Sequence, residues 1–361
     1  MRILIIHPEF KNTGGVSGYY SALKDKFCVE IKHFNIGKRA ERKGIFINIF
    51  RIFKDYLLFI RELRRSKYDV VHINPSLDFK SVVRDGVFIL LSKCYRIKVI
   101  VNFHGWCKSF EQKINRSALW LFLNIYGKAD VFILLAVEFR NKLLAWGFKQ
   151  PVYLETTAVD DELIKDIDMQ TIIRTRLDNT QCKVLFLSRI VKEKGIYETV
   201  DAVNLLHRKY SNIELVVAGN GEEIQRVKDY VKANAISNVS FPGYVKGELK
   251  KKSFEGSYMY CFPTYYGEGI PISVLEAIAF GLPVITRPVG GIADFFEQDN
   301  HGFITESKDP RVIAGYIEKL YLDKELYKKI SLYNYHYATE LFLASKVTKR
   351  LEKIYREVLQ L

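Results

Sequence analysis

A chain of 361 residues, 48% hydrophobic and 27% charged, has the make-up of a soluble globular protein and enough length for two hydrophobic cores. Its 55 basic and 41 acidic residues leave a net charge of +14, which calls for an anionic partner: nucleic acid, acidic lipid or a phosphorylated substrate. Five scattered cysteines without a C-x-x-C pair argue against a zinc site, and no apolar run approaches the ~20 residues of a membrane span, so a reduced, cytoplasmic chain that does not cross a membrane is expected.

Residues 2–7 read as a buried first strand, too short for the apolar region of a signal peptide. A loop over 8–15 and a helix from about Val16 follow. Gly14 and Gly15 therefore fall at a strand-to-helix turn, where an open α/β sheet binds ligands. Small residues there let the backbone approach a phosphate; an ordinary turn also favours glycine, and both readings stand. After a strand at 29–34, basic and apolar residues interleave between Lys38 and Lys67: Phe46, Phe50, Phe53 and Leu57 among Arg39, Arg42, Lys43, Lys54, Arg61 and Arg64. Such a helix lies in a membrane interface, or packs on a sheet with a solvated basic face. Nucleic-acid binding is disfavoured, because no recognised motif accompanies the charge.

Further strands fall at 69–73, 98–103, 130–135 and 152–154. His104 directly follows the strand at 98–103, and a polar residue at the carboxyl end of a parallel strand points into the ligand crevice. His33, His207 and His336 lack that setting. Asp166 and Asp168 form a D-x-D string, but no apolar strand precedes it, and no metal role is expected. The alternation restarts with strands at 183–187, 213–218, 239–241, 258–262, 283–286 and 302–304, and 310–361 reads as helical. This predicts an α/β protein with two doubly wound parallel sheets facing each other, a first domain over 1–160 and a second over 161–345.

The stretch from Pro263 to Ala277 stands out. Glu268 lies between Gly267 and Gly269, and Pro271 suits the first position of a helix that carries Ile272, Leu275, Ile278 and Ala279 at helical spacing. Glu268 then sits at the mouth of that helix and Glu276 just over one turn inside it. A helix N-terminus takes an anion and a carboxylate accepts from hydroxyl groups, which suits a nucleotide or a sugar. Solvated surface glutamates are the plainer alternative. Arg189 and Lys194 follow the first strand of the second sheet; a forked guanidinium with an ammonium suits a diphosphate, and two solvated loop cations are again the plainer alternative.

In order and spacing, these residues resemble the retaining glycosyltransferases of family four, the group 1 glycosyltransferases of GT-B architecture. The resemblance rests on Ser188, Arg189, Lys194 and Gly195, on Val-Ala-Gly-Asn-Gly-Glu from Val217, and on Phe-Pro-Gly-Tyr-Val from Phe241. It continues in Phe-Pro-Thr from Phe262, Glu-Gly-Ile-Pro from Glu268, Glu276-Ala277, Gly-Leu-Pro-Val-Ile from Gly281 and Gly290-Gly291. The second domain is covered nearly throughout. The first matches more loosely, through Gly14-Gly15, His104-Gly105 and Thr-Thr-Ala-Val-Asp from Thr156.

The resemblance implies two facing Rossmann-like domains, with a last helix over 346–361 crossing back to the first. It implies transfer of a sugar, with retention and by front-face attack, from a nucleoside-diphosphate sugar, first of all a UDP-sugar. The acceptor would be a hydroxyl of a saccharide, lipid-linked, in assembly of a cell-surface polysaccharide, O-antigen or capsule, with no metal or other cofactor. Glu276 would accept from the ribose hydroxyls, Arg189 and Lys194 would hold the diphosphate, and Glu268 would touch the donor sugar. The N–H groups of Gly269, Ile270 and the helix after Pro271 would face sugar and phosphates. Gly219 joins the donor-binding set, the Tyr244 backbone would lie beside the base, Gly14 and Gly15 near a phosphate, and His104 near the transferring sugar. Apart from the resemblance, the basic, aromatic segment from Lys38 to Lys67 leaves open an anionic membrane, at the inner face of the cell membrane, as a further partner, and nucleic acid is not expected. Two departures, Thr-Ala-Val-Asp at Thr157 and Ile270-Pro271 in place of Phe-Gly, bear on donor choice. The rival readings are an epimerase or phosphorylase on the same scaffold, and an inactive basic membrane- or nucleic-acid-binding protein.

Overall fold

The computed structural model describes residues 1–12, 14–37 and 45–361, with backbone alone at 45–49. Lys38 to Gly44, including Arg39, Arg42 and Lys43 of the basic stretch, lie outside the described residues. The chain forms two units. One comprises Met1–Ala158, Gly267–Ile270 and Ala344–Leu361; the other comprises Val159–Tyr266 and Pro271–Leu343.

In the first unit the strands are β1 (Arg2–Pro8), β2 (Glu30–Ile36), β3 (Val70–Ile73), β4 (Ser76–Leu77), β5 (Lys98–Phe103), β6 (Gly105–Trp106), β7 (Val131–Leu134) and β8 (Val152–Leu154). Six of them form a parallel sheet in the order β2-β1-β3-β5-β7-β8, and β4 pairs with β6 alone. The connecting helices are α1 (Gly15–Leu23), α2 (Ile45–Arg65), α3 (Phe79–Cys94), α4 (Lys108–Lys113), α5 (Leu119–Tyr126) and α6 (Val137–Ala145). Unbroken apolar runs such as Ile3 to Ile6 are what a parallel sheet covered on both faces requires. On one face Leu4, Ile6, Val71, Ile73, Val99 and Val101 meet Phe59 of α2, Phe88 of α3 and Phe122 of α5. A wider π-helical turn over Ile114–Ala118 joins α4 to α5.

The second unit repeats the plan with β9 (Cys182–Leu187), β10 (Ile213–Ala218), β11 (Val239–Gly243), β12 (Met259–Phe262), β13 (Val284–Thr286) and β14 (Gly302–Ile304). They form a parallel sheet in the order β11-β10-β9-β12-β13-β14. Its helices are α7 (Met169–Asp178), α8 (Ile196–His207), α9 (Ile224–Ala233), α10 (Glu248–Glu255), α11 (Ile272–Ala279), α12 (Ile292–Phe295), α13 (Pro310–Leu322) and α14 (Lys324–Leu341). Asp168 starts α7: its carboxylate accepts from the N–H groups of Gln170 and Thr171 and from the Thr171 hydroxyl. Pro271 is not the first helical residue. Its ψ of 122° is extended, which makes it the N-cap of α11.

The final helix, α15 (Ala344–Val358), belongs to the first unit. It buries Val347, Leu351 and Tyr355 beside α1, and the Tyr355 hydroxyl lies 2.8 Å from His72 Nδ1 on β3. Burial of a side chain such as Leu351 contributes about 1.5–3 kcal/mol. Each sheet has one point where its strand order reverses, between β1 and β3 and between β9 and β12. Ligands bind beyond the carboxyl ends of strands at such points.

Candidate functional site

In the second unit, the loops beyond β9 and β12 are locked together by backbone contacts that only glycine permits. Gly195 has φ +80°, and a Cβ there would lie 2.6 Å from the Pro263 carbonyl oxygen. Tyr265 N–H donates to the Glu193 carbonyl at 2.8 Å. A Cβ on Gly219 would come within 1.8 Å of the Ser188 carbonyl oxygen, so Gly219 seats the Arg189 loop against the end of β10. That structural demand explains the glycine without any ligand.

These contacts bring both expected cations to one ring. Arg189 Nη2 donates to the Tyr266 hydroxyl at 3.4 Å, and its guanidinium carbon lies 5.7 Å from the ring centroid. Lys194 Nζ lies 5.7 Å from the same centroid and 5.3 Å from that of Phe262. Both cations thus lie over aromatic faces, which attract a positive charge through the ring quadrupole and help to position it.

Glu276 lies on α11, with its side chain 5% exposed. Burial pushes its carboxyl above the usual carboxylate range, and the Lys250 ammonium, ion-paired with it from α10, opposes that push. Lys250 was not singled out in the sequence, where it is one of three consecutive lysines on a polar helix. Tyr244 follows β11 and is 59% exposed.

In the first unit, His104 follows β5 and is half-buried. Its Nε2 lies 2.9 Å from Asn74 Oδ1, which also accepts from the Tyr20 hydroxyl at 2.7 Å. Asn74 Nδ2 donates to the Ile6 carbonyl, which fixes Oδ1 as the acceptor. His104 therefore carries its proton on Nε2 and presents a lone pair on Nδ1. Burial and the nearby His7 lower it to about 3, so the ring is neutral at neutral pH. His7 near the end of β1, His72 near the end of β3 and Asn74 just after β3 join His104 at the carboxyl ends of β1, β3 and β5, at the reversal point. The first two are buried histidines at strand ends, the same signal that marked His104, and the sequence reading passed over them. His33, set aside in that reading, lies 2.9 Å from His7.

Glu268 lies in the loop Gly267–Ile270, which groups with the first unit although the sequence assigns it to the second. A Cβ on Gly267 would lie 2.7 Å from the Trp106 carbonyl oxygen, and one on Gly269 would lie 2.8 Å from that of His104. The Thr157 hydroxyl donates to the Ile270 carbonyl at 3.1 Å. Glu268 is thus carried by two glycines pressed onto the His104–Trp106 backbone. Gly14 caps α1 with extended backbone, and the space where a Cβ of Gly14 or Gly15 would stand is open.

Residues 170–337 match the family model of glycosyl transferases group 1. The matched region carries Arg189, Lys194, Lys250, Glu268 and Glu276. The capsular polysaccharide biosynthesis glycosyltransferase CapM of Staphylococcus aureus is 27% identical over 228 residues, 63% of this chain and 58% of that protein. The matched part of the chain thus spans less than two thirds of that relative. The fold is that of GT-B glycosyltransferases. HepE of Anabaena, solved in complex with UDP, superimposes over 99% of this chain and 100% of its own with a TM-score of 0.76 at 14% identity. Sucrose-phosphate synthase of Thermosynechococcus elongatus does so over 99% of each chain with a TM-score of 0.77 at 17% identity.

Proposed function

We propose that this group 1 glycosyltransferase chain moves a sugar from a UDP-sugar to a hydroxyl of a saccharide acceptor, lipid-linked, in the assembly of a cell-surface polysaccharide. The observation that carries this reading is the set of Arg189 and Lys194 on the ring of Tyr266, beyond β9, with the buried carboxylate of Glu276 on the helix after β12. Departure of a nucleoside diphosphate builds negative charge, and two fixed cations and the N-terminus of α11 oppose it without a metal. Glu276 accepts from the ribose hydroxyls once Lys250 yields. Glu268 and the Nδ1 lone pair of His104 accept from sugar hydroxyls. No side chain is assigned as a nucleophile; the acceptor hydroxyl attacks from the face the diphosphate leaves, a phosphate oxygen takes its proton, and configuration is retained. HepE, solved with UDP and with UDP-glucose, supports the choice of base, and the capsular relative supports the pathway class.

A panel of nucleotide sugars screened by thermal shift, followed by product analysis with and without a saccharide acceptor, tests this. A UDP-sugar should stabilise the protein and yield an acceptor-dependent glycoside of retained configuration. An acceptor-independent isomer of the donor, or a sugar phosphate, would replace transfer by epimerisation or phosphorolysis.

A further inference from the structure

The helices α2, α3 and α5 expose large apolar side chains that a solvated surface does not need. Phe50, Phe53 and Leu57 on α2 are 76%, 63% and 68% exposed. Phe79 and Val83 on α3, and Trp120 and Leu121 on α5, are exposed as well. All three helices lie on crossovers between parallel strands of one sheet (β2 to β3, β3 to β5 and β5 to β7), so they run in the same direction; the exposed apolar residues fall in the middle of α2, in the first half of α3 and at the start of α5. Cross-helix hydrogen bonds set the register: Tyr56 donates to the Arg84 carbonyl at 3.1 Å and Tyr126 to the Val82 carbonyl at 3.0 Å. The exposed apolar groups therefore form a band across three neighbouring helices, at the end of the sheet where His104 lies. A contiguous apolar band of this kind marks an interaction surface.

Charge specifies what covers it. On α2 the residues Phe50, Phe53, Leu57, Arg61 and Arg64 share one face by their three- and four-residue spacing. Lys54, Arg61, Arg64 and Arg65 are exposed on α2, and Lys80 is exposed beside Phe79. The acidic residues of these helices are withdrawn: Asp55 and Asp85 are buried, Asp85 pairs with Arg84, and Glu62 accepts from the Tyr68 hydroxyl. Among the described residues, the exposed side chains of these three helices include no acid. A second copy would oppose arginine to arginine. A nucleic acid would match the arginines but leave Leu57, Val83 and Leu121 without a role. An anionic bilayer satisfies both parts, with apolar groups in the acyl boundary and basic groups at the headgroups. No described helix is long and apolar enough to cross a membrane.

We propose that the α2–α3–α5 face of the first unit docks flat on an anionic lipid bilayer, with Phe50, Phe53 and Leu57 inserted, Trp120 at the interface and Arg61 and Arg64 on the headgroups. This deepens the reading of a lipid-linked acceptor, but its test does not pass through sugar transfer.

The test is sedimentation of the full chain with phosphatidylcholine vesicles, with and without phosphatidylglycerol, together with tryptophan emission. Trp120 reports selectively, because Trp106 and Trp146 are buried. Binding should favour the anionic vesicles by about tenfold or more, with a blue shift in emission that Trp120→Phe removes. The pair Phe53→Ser and Leu57→Ser should weaken binding to anionic vesicles by about tenfold or more. Arg61→Glu with Arg64→Glu should abolish the preference for anionic lipid. UDP binding should be the same in all these variants, so a failed donor reading and a failed docking surface remain distinguishable. Absence of vesicle binding, wild-type binding by the serine pair, a dimer that the serine pair dissociates, or binding of nucleic acid in place of vesicles would each overturn the proposal.

Discussion

Lys250 of α10 is ion-paired with the buried carboxylate of Glu276 on α11. The expected ribose acceptor is therefore already occupied by a cation of the same unit. Replacing one member of a buried pair leaves the other charge without compensation, whereas replacing both removes the problem. Lys250→Met should lower stability by about 3 kcal/mol in urea unfolding. Adding Glu276→Gln should restore most of that loss. Additive effects of the two changes would show that the pair is not coupled.

Glu276→Ala should weaken UDP binding by about 1.5–3 kcal/mol, the worth of hydrogen bonds to a charged group. Titration calorimetry reads this directly. Unchanged affinity would remove Glu276 from the ribose and leave it as the structural partner of Lys250.

Gly195 stands at φ +80° against the Pro263 carbonyl, directly after Lys194. Gly195→Ala meets both a left-handed backbone and a 2.6 Å approach, and should cost at least about 1–2 kcal/mol of stability. Because the displaced loop carries Lys194, UDP affinity should fall while uridine affinity changes little. Equal loss for UDP and uridine would argue that the diphosphate does not sit there.

Burial lowers His7, His72 and His104 to about 4, 3 and 3. Unfolded histidines titrate near 6.5. Between these values the unfolded chain binds protons that the folded chain refuses. The contribution of these neutral rings is therefore complete above about pH 6.5 and is lost as pH falls toward 3–4. Each ring should cost roughly 2 kcal/mol at pH 5. Thermal melts at pH 7.5 and pH 5 should show the drop, and His72→Asn should reduce the difference. Equal melting temperatures would mean that these rings titrate normally.

Asp168 is engaged in capping α7, with Thr171 and Gln170 as its donors. Sugar transfer should therefore continue in EDTA. Activity lost to the chelator and restored by magnesium would return the D-x-D string to the site.

The alternation of apolar strands and amphipathic helices was legible throughout, because strand and helix periods are local and a buried parallel strand leaves an unbroken apolar run. Arg189, Lys194 and Glu276 could be singled out there as candidates, since charged residues just after strands, or inside an apolar helix start, need no knowledge of distant partners. His104 was visible by its position after β5. Tertiary structure alone decided what each of them meets. Tyr266 is an unremarkable tyrosine until Gly195 and Pro263 bring its loop under the two cations. Lys250 is one lysine among three until α10 presents it to Glu276. Asn74 sets the tautomer of His104 from 30 residues away. The loop carrying Glu268 reads as part of the second half, yet its glycines fit it to the His104–Trp106 backbone of the first unit. Local periodicity specifies elements, because it depends on neighbours three or four residues apart. Pairing across 20 to 300 residues depends on which strand ends meet at a reversal point, and that is a property of the packed sheet.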